Sequence, residues 1–111
     1  MIWPLLSALV AGASPQSGEV TPPRQIYMPP VERYYPAGAK SRDEQGLTRL
    51  SCTLETIGRL TNCTLQSSSG SQELDQAAFR IAADALYEPQ RVDGRPVAIK
   101  AILPVRWVLA D

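Results

Sequence analysis

The chain has 111 residues, with 11 basic and 11 acidic side chains, two cysteines and no histidine, a length that holds a single domain. Balanced charge, with no basic run and no aromatic-rich basic face, sets nucleic acid aside as a partner. The lack of histidine removes the Ser-His-Asp and Cys-His nucleophile systems and the commonest metal ligand, and two cysteines cannot fill a four-ligand zinc site. No constellation for catalysis, for a cofactor or for a small-molecule substrate is left, so the sequence predicts a binding domain and not an enzyme.

Residues 1–13 are apolar but shorter than the roughly 20 residues that span a bilayer. Their length suits the hydrophobic region of a secretory signal, and Ala11-Gly12-Ala13 is a small-residue cleavage site ahead of Ser14. No Lys or Arg precedes the run, so it reads either as an atypical signal peptide or as the remnant of a longer apolar anchor whose start lies upstream. Residues 14–34 carry Pro22-Pro23 and Pro29-Pro30 and show no helical or alternating period. They are expected to form an extended, largely solvated linker. The domain proper is expected at 35–111.

Pro36 opens a helix that Gly46 is expected to close. Leu50, Cys52 and Leu54 then alternate with Arg49, Ser51, Thr53 and Glu55, the pattern of a half-buried strand. A second strand runs from Leu60 to Leu65 after a tight turn at Ile57-Gly58. With those two residues as the turn, Thr56 faces Arg59 and Cys52 stands directly opposite Cys63. Opposed residues share a face at ~4.5–5.5 Å between Cβ atoms, close to disulfide geometry. In an oxidising compartment the pair is expected to be bonded; two buried free thiols are the alternative if the chain is not exported.

Ser71 is a helix cap, and Leu74, Ala77, Ala78, Ile81, Ala85 and Leu86 recur at helical spacing until Pro89. Glu73 and Asp75 fall in the first turn and read as surface carboxylates matched to the helix dipole. After a turn at Asp93-Gly94 comes a long alternating strand. Val97, Ile99, Ala101, Leu103, Val105, Trp107 and Leu109 lie on one face, with Lys100 and Arg106 on the other. Pro104, which has no N–H to give a neighbour, marks it as an edge strand. Lys100, Pro104 and Arg106 are also the residues that would keep such an edge from pairing with its own kind. The expected fold is α+β, an antiparallel three-stranded sheet packed on two helices.

Five pieces in this order resemble the TonB carboxy-terminal domain: YPAGAKSRDEQG, the hairpin with Gly58, the SSG-x-x-x-LD-x-AA stretch from Ser68 to Ala78, YEP followed by DG-x-PV up to Val97, and the closing LPVRW. The resemblance implies a periplasmic domain without enzymatic activity, which grasps a short segment of an outer-membrane receptor and serves energy-dependent transport. The segment would join the sheet as an added strand. It also implies that the last strand offers that edge, here Val97, Ala98, Ile99, Lys100, Ala101, Ile102, Leu103, Pro104, Val105, Arg106, Trp107 and Val108. Small exported members of the family often carry a cysteine in each hairpin strand, as Cys52 and Cys63 do. Where the family usually has Asp before the hairpin glycine, this chain has Ile57. A second reading stays open, a free periplasmic module that is structural or homodimeric and transduces nothing.

Overall fold

The computed structural model describes residues 19–109. The apolar run, its cleavage site and the first part of the proline-rich stretch lie outside those residues. In chain order the elements are β1 (Val20–Thr21), β2 (Arg24–Tyr27), α1 (Val31–Tyr34), α2 (Ala37–Ser41), β3 (Gly46–Leu54), β4 (Leu60–Ser67), α3 (Gln72–Asp84), β5 (Leu86–Glu88), β6 (Gln90–Val92), β7 (Arg95–Val97) and β8 (Ile99–Trp107). The fold is α+β. Its main sheet is antiparallel in the order β4-β3-β8, and two small sheets, β1-β6-β7 and β2-β5, stand beside it.

Alternation along β3 and β8 builds the core. Thr48, Leu50, Cys52 and Leu54 turn inward from β3, and Leu103, Val105 and Trp107 from β8. Helix α3 covers that face with Leu74, Ala77, Ala78, Ile81 and Ala82. Four of the buried positions along Leu74–Ala85 are alanines, which let the helix backbone lie close to the sheet. Ser71 caps α3, its Oγ accepting from the Leu74 amide at 3.3 Å.

The hairpin between β3 and β4 departs from the expected turn. Leu54 pairs with Leu60, and the Glu55 amide donates to the Arg59 carbonyl at 2.9 Å, which leaves a three-residue loop, Thr56-Ile57-Gly58. Gly58, at φ 85°, takes the left-handed position that such a loop requires. A bulge at Asn62, φ 51°, then shifts the register by one residue. The two differences cancel, and Cys52 and Cys63 form a disulfide with Cα atoms 4.0 Å apart.

Other boundaries move for physical reasons. Helix α2 stops at Ser41, with Asp43 at φ 55°, so Gly46 opens β3 instead of closing the helix. Helix α3 stops at Asp84, five residues before Pro89, because Leu86–Glu88 pairs with β2. Asp93 and Gly94, both at positive φ (52° and 82°), form a two-residue turn that joins β6 to β7 as a hairpin. Residues expected to be free linker are paired: Val20 and Thr21 lie against Val92 and Arg91, and Arg24 and Gln25 against Glu88 and Tyr87. Their side chains remain exposed. Pro29 is buried, and Val31 and Tyr34 of α1 pack on the core.

Candidate functional site: a strand edge and the groove beside it

Both outer strands of the main sheet have an open side, and they differ. Strand β4 is interrupted twice, with register shifts around Asn62 and near Ser67. Bulges of this kind blunt an edge against further pairing. Strand β8 pairs with β3 through nine consecutive residues, Gly46 with Trp107 through to Leu54 with Ile99, without a shift. Its free side is straight and regular.

Pro104, paired with Arg49, settles which residues present their backbone outward. Lacking an N–H, it sits in the unbroken ladder only at a position that faces away from β3. The period of two then gives the same outward direction to Lys100, Ile102 and Arg106. The N–H groups of Lys100, Ile102 and Arg106 and the carbonyls of all four residues point to the free side. Their side chains occupy the exposed face of the sheet, where Ile102 keeps 48% of its surface in solvent.

A groove of about 280 Å³ opens along the rim from Ile102 to Arg106. Its opposite wall is Gln25, Met28 and Val31 of the N-terminal arm with Ile81 and Tyr87. Burial raises the Tyr87 hydroxyl above its usual pKa, so the wall stays uncharged. An extended segment laid against β8 would find hydrogen-bonding groups on one side and an apolar wall on the other.

Buried polar bonds hold the C-terminal end of this strand. The Trp107 indole N–H donates to Thr48 Oγ1 at 3.1 Å, and that hydroxyl donates to Asp75 Oδ1 at 3.0 Å. Asp75 also accepts from the Ser68 hydroxyl (2.5 Å), the Ser69 amide (2.9 Å) and the Ser69 hydroxyl (2.8 Å). Burial opposes its charge, but these donors together outweigh that and hold the carboxyl below its usual range. Asp75 is therefore an interior acceptor that ties α3 to β3 and β8, not the surface carboxylate expected from its helix position. Glu73 does lie at the surface, paired with Arg42 at 2.7 Å. Tyr35 packs edge-on against Trp107, ring centroids 5.2 Å apart, and its hydroxyl donates to the Glu44 carbonyl.

Of the residues expected to form the edge, Ile99 through Trp107 make up β8. Val97 belongs instead to β7, paired with Gln90, because the Asp93-Gly94 turn folds it back into another sheet; Ala98 joins the two strands, and Val108 lies past the end of β8. The sequence reading missed Met28, Val31, Ile81 and Tyr87 as the groove wall. Met28 and Val31 share their proline-rich stretch with Val20, Ile26 and Tyr27, which stay exposed, so apolar character alone does not mark them as the wall. Among the described residues no three His, Cys, Asp or Glu side chains come together as metal ligands, and no helix is long and apolar enough to cross a membrane.

Residues 31–109 match the family described as Gram-negative bacterial TonB protein C-terminal. The chain is similar to Protein TonB of Vibrio cholerae serotype O1, with 33% identity over 79 residues that cover 71% of this chain and 32% of that protein. It is also similar to Protein TonB of Haemophilus influenzae, 29% identical over 102 residues, 90% of this chain and 36% of the relative. Thus it spans about a third of the length of these curated relatives. Among solved structures, the solution NMR structure of the Pseudomonas aeruginosa TonB CTD superposes with a TM-score of 0.65 at 26% identity, covering 80% of this chain and 88% of that one.

Proposed function

We propose, because the chain belongs to the TonB C-terminal domain family, that it is the periplasmic, partner-binding domain of a TonB-type energy transducer. In this reading it captures a short extended segment of an outer-membrane receptor by taking it up as a fourth strand beside β8. Transport across the outer membrane is then driven through that grip, and the domain itself catalyses no reaction. The observation that carries this is the unbulged free side of β8, regular over nine residues where β4 is broken twice. The groove wall of Met28, Val31, Ile81 and Tyr87 supports it, since it offers apolar cover to the added strand's inward side chains. The Cys52–Cys63 disulfide fits an oxidising compartment.

The test uses the full chain in its oxidised form and synthetic peptides copied from the periplasmic segments of outer-membrane receptors. Binding should shift the backbone amide resonances of Lys100, Ile102 and Arg106 and slow their hydrogen exchange. Ile102→Pro removes one outward N–H from a position with the same parity as Pro104, so the variant should fold, with an unchanged circular dichroism spectrum, and lose binding. Unchanged binding by that variant, or no binding of any such peptide by the native chain, would overturn the reading.

A further inference from the structure

Although the chain is neutral overall, its charges are unevenly placed. Strands β3, β4 and β8 together contain Arg49, Lys100 and Arg106 and no Asp or Glu. All three cations lie on the exposed face of the sheet. Among the described residues none of them forms a salt bridge, whereas Arg42 and Arg91 do. Lys100 and Arg106 stand on β8 itself, six residues apart, which is about 20 Å at a strand's rise of ~3.3 Å per residue. Ile102 and Pro104 fill the interval between them. The working rim is thus an apolar centre held between two positive charges that have no ion-pair partner among the described residues, with Arg49 beside Pro104 on the neighbouring strand.

Resting on the strand-addition reading above, we infer that the β8 edge selects an extended segment carrying carboxylates at both ends of an apolar stretch. A strand added beside β8 puts every second side chain next to Lys100, Ile102, Pro104 and Arg106, with Cβ atoms ~4.5–5.5 Å apart. Acidic side chains at the first and seventh positions of such a segment would face Lys100 and Arg106. An apolar side chain between them would cover Ile102. The intervening side chains turn to the other face, where the groove beside Leu103 and Val105 is walled by Met28, Val31 and Tyr87. Acceptable segments therefore read acid, apolar, apolar, apolar, any residue, apolar, acid. Basic segments are excluded, because like charges directly opposite one another repel.

Charge on an edge strand also guards against self-association, and the experiment separates the two roles. The probe is a peptide with the core Glu-Val-Ile-Val-Ile-Val-Glu, palindromic so that parallel and antiparallel addition present the same side chains, compared with the same peptide carrying Gln for both Glu. Affinities come from titration followed at the β8 amides. The acidic peptide should bind the native chain roughly 3- to 20-fold more tightly than the Gln peptide, a gap that raised salt narrows. In Lys100→Glu/Arg106→Glu the order should invert in favour of a Lys-for-Glu peptide, while sedimentation shows the variant still monodisperse because its edge is still charged. Equal binding of the Glu and Gln peptides at the β8 amides would overturn charge selection and leave strand addition standing. If neither peptide moves those amides, strand addition falls as well. A reversed variant whose preference does not change would assign Lys100 and Arg106 to edge protection alone and overturn the inference.

Discussion

Thr48 brings a hydroxyl to a strand position whose parity it shares with Leu50, Cys52 and Leu54, all of them buried. A polar group there needs an interior partner, since leaving it unmet costs about 1–3 kcal/mol. Asp75 is that partner, and it satisfies Trp107 through Thr48 as well as two serines of the loop ahead of α3. Because its folded pKa lies below the ordinary 3.8, the stability it contributes is complete above the unfolded value and is lost as pH falls through the folded one. Asp75→Asn keeps the shape but points an amide NH₂ at a ring of donors. It should cost about 1–3 kcal/mol at neutral pH and flatten the acid limb of the stability curve. Denaturant midpoints of both proteins between neutral and acid pH check this. An acid limb identical in the two would place the sensitivity elsewhere. Asp75 was misjudged in the sequence because its partners come from a loop and from a strand 27 residues away. The clue was available in Thr48, a hydroxyl out of step with its apolar neighbours.

The hairpin shows how much of an element a pattern carries. Alternation in β3 located Cys52 on the core face and predicted its bond to Cys63, and the disulfide is there. The turn itself was misread, since Ile57-Gly58 gives no local sign that Thr56 joins the loop or that Asn62 bulges to restore the register. Gly58 has a second constraint that no pattern reports: its carbonyl accepts from the Tyr87 amide at 2.9 Å, and a Cβ there would collide with the Tyr87 carbonyl oxygen. Likewise β5 was read as the tail of α3. Its strand partner, β2, lies some 60 residues earlier, in a segment whose prolines read as linker. Reduction should therefore weaken the hairpin without abolishing the fold, lowering stability by about 3 kcal/mol for so short a covalent loop. Denaturation with and without a phosphine reductant measures it, and a midpoint that does not move would show that the bond constrains nothing the unfolded chain was free to do.

At the scale of the whole molecule, residues 19–27 form a band laid along the β5–β6 strip by backbone pairing. The Glu19 amide donates to Asp93 Oδ1 at 3.1 Å and the Asp93 amide to the Glu19 carbonyl at 2.9 Å, followed by the pairs of Val20, Thr21, Arg24, Gln25 and Tyr27. Its side chains bury little, and the next firm anchor is the buried Pro29. Tension that lifts the N-terminal end away from the strip thus meets these bonds one after another, as a zip does, and not all at once. The paired residues are already extended at ~3.3 Å each, so peeling lengthens the tether by swinging a band about 30 Å long into line with the pull, and not by paying out folded chain. A tether built this way yields early and gently while the β3–β8 ladder, far more extensive, is still intact. Stretching single molecules from the N-terminus to a grip on β8 should give a first low-force extension on the order of the band's ~30 Å length before the main rupture, and Arg24→Pro, which removes the N–H at the position paired with Glu88, should make that first step easier. Under the strand-addition proposal the band would act as a shock absorber in series with the grip: a brief jerk would be spent on peeling the tether before it could pull the held strand away.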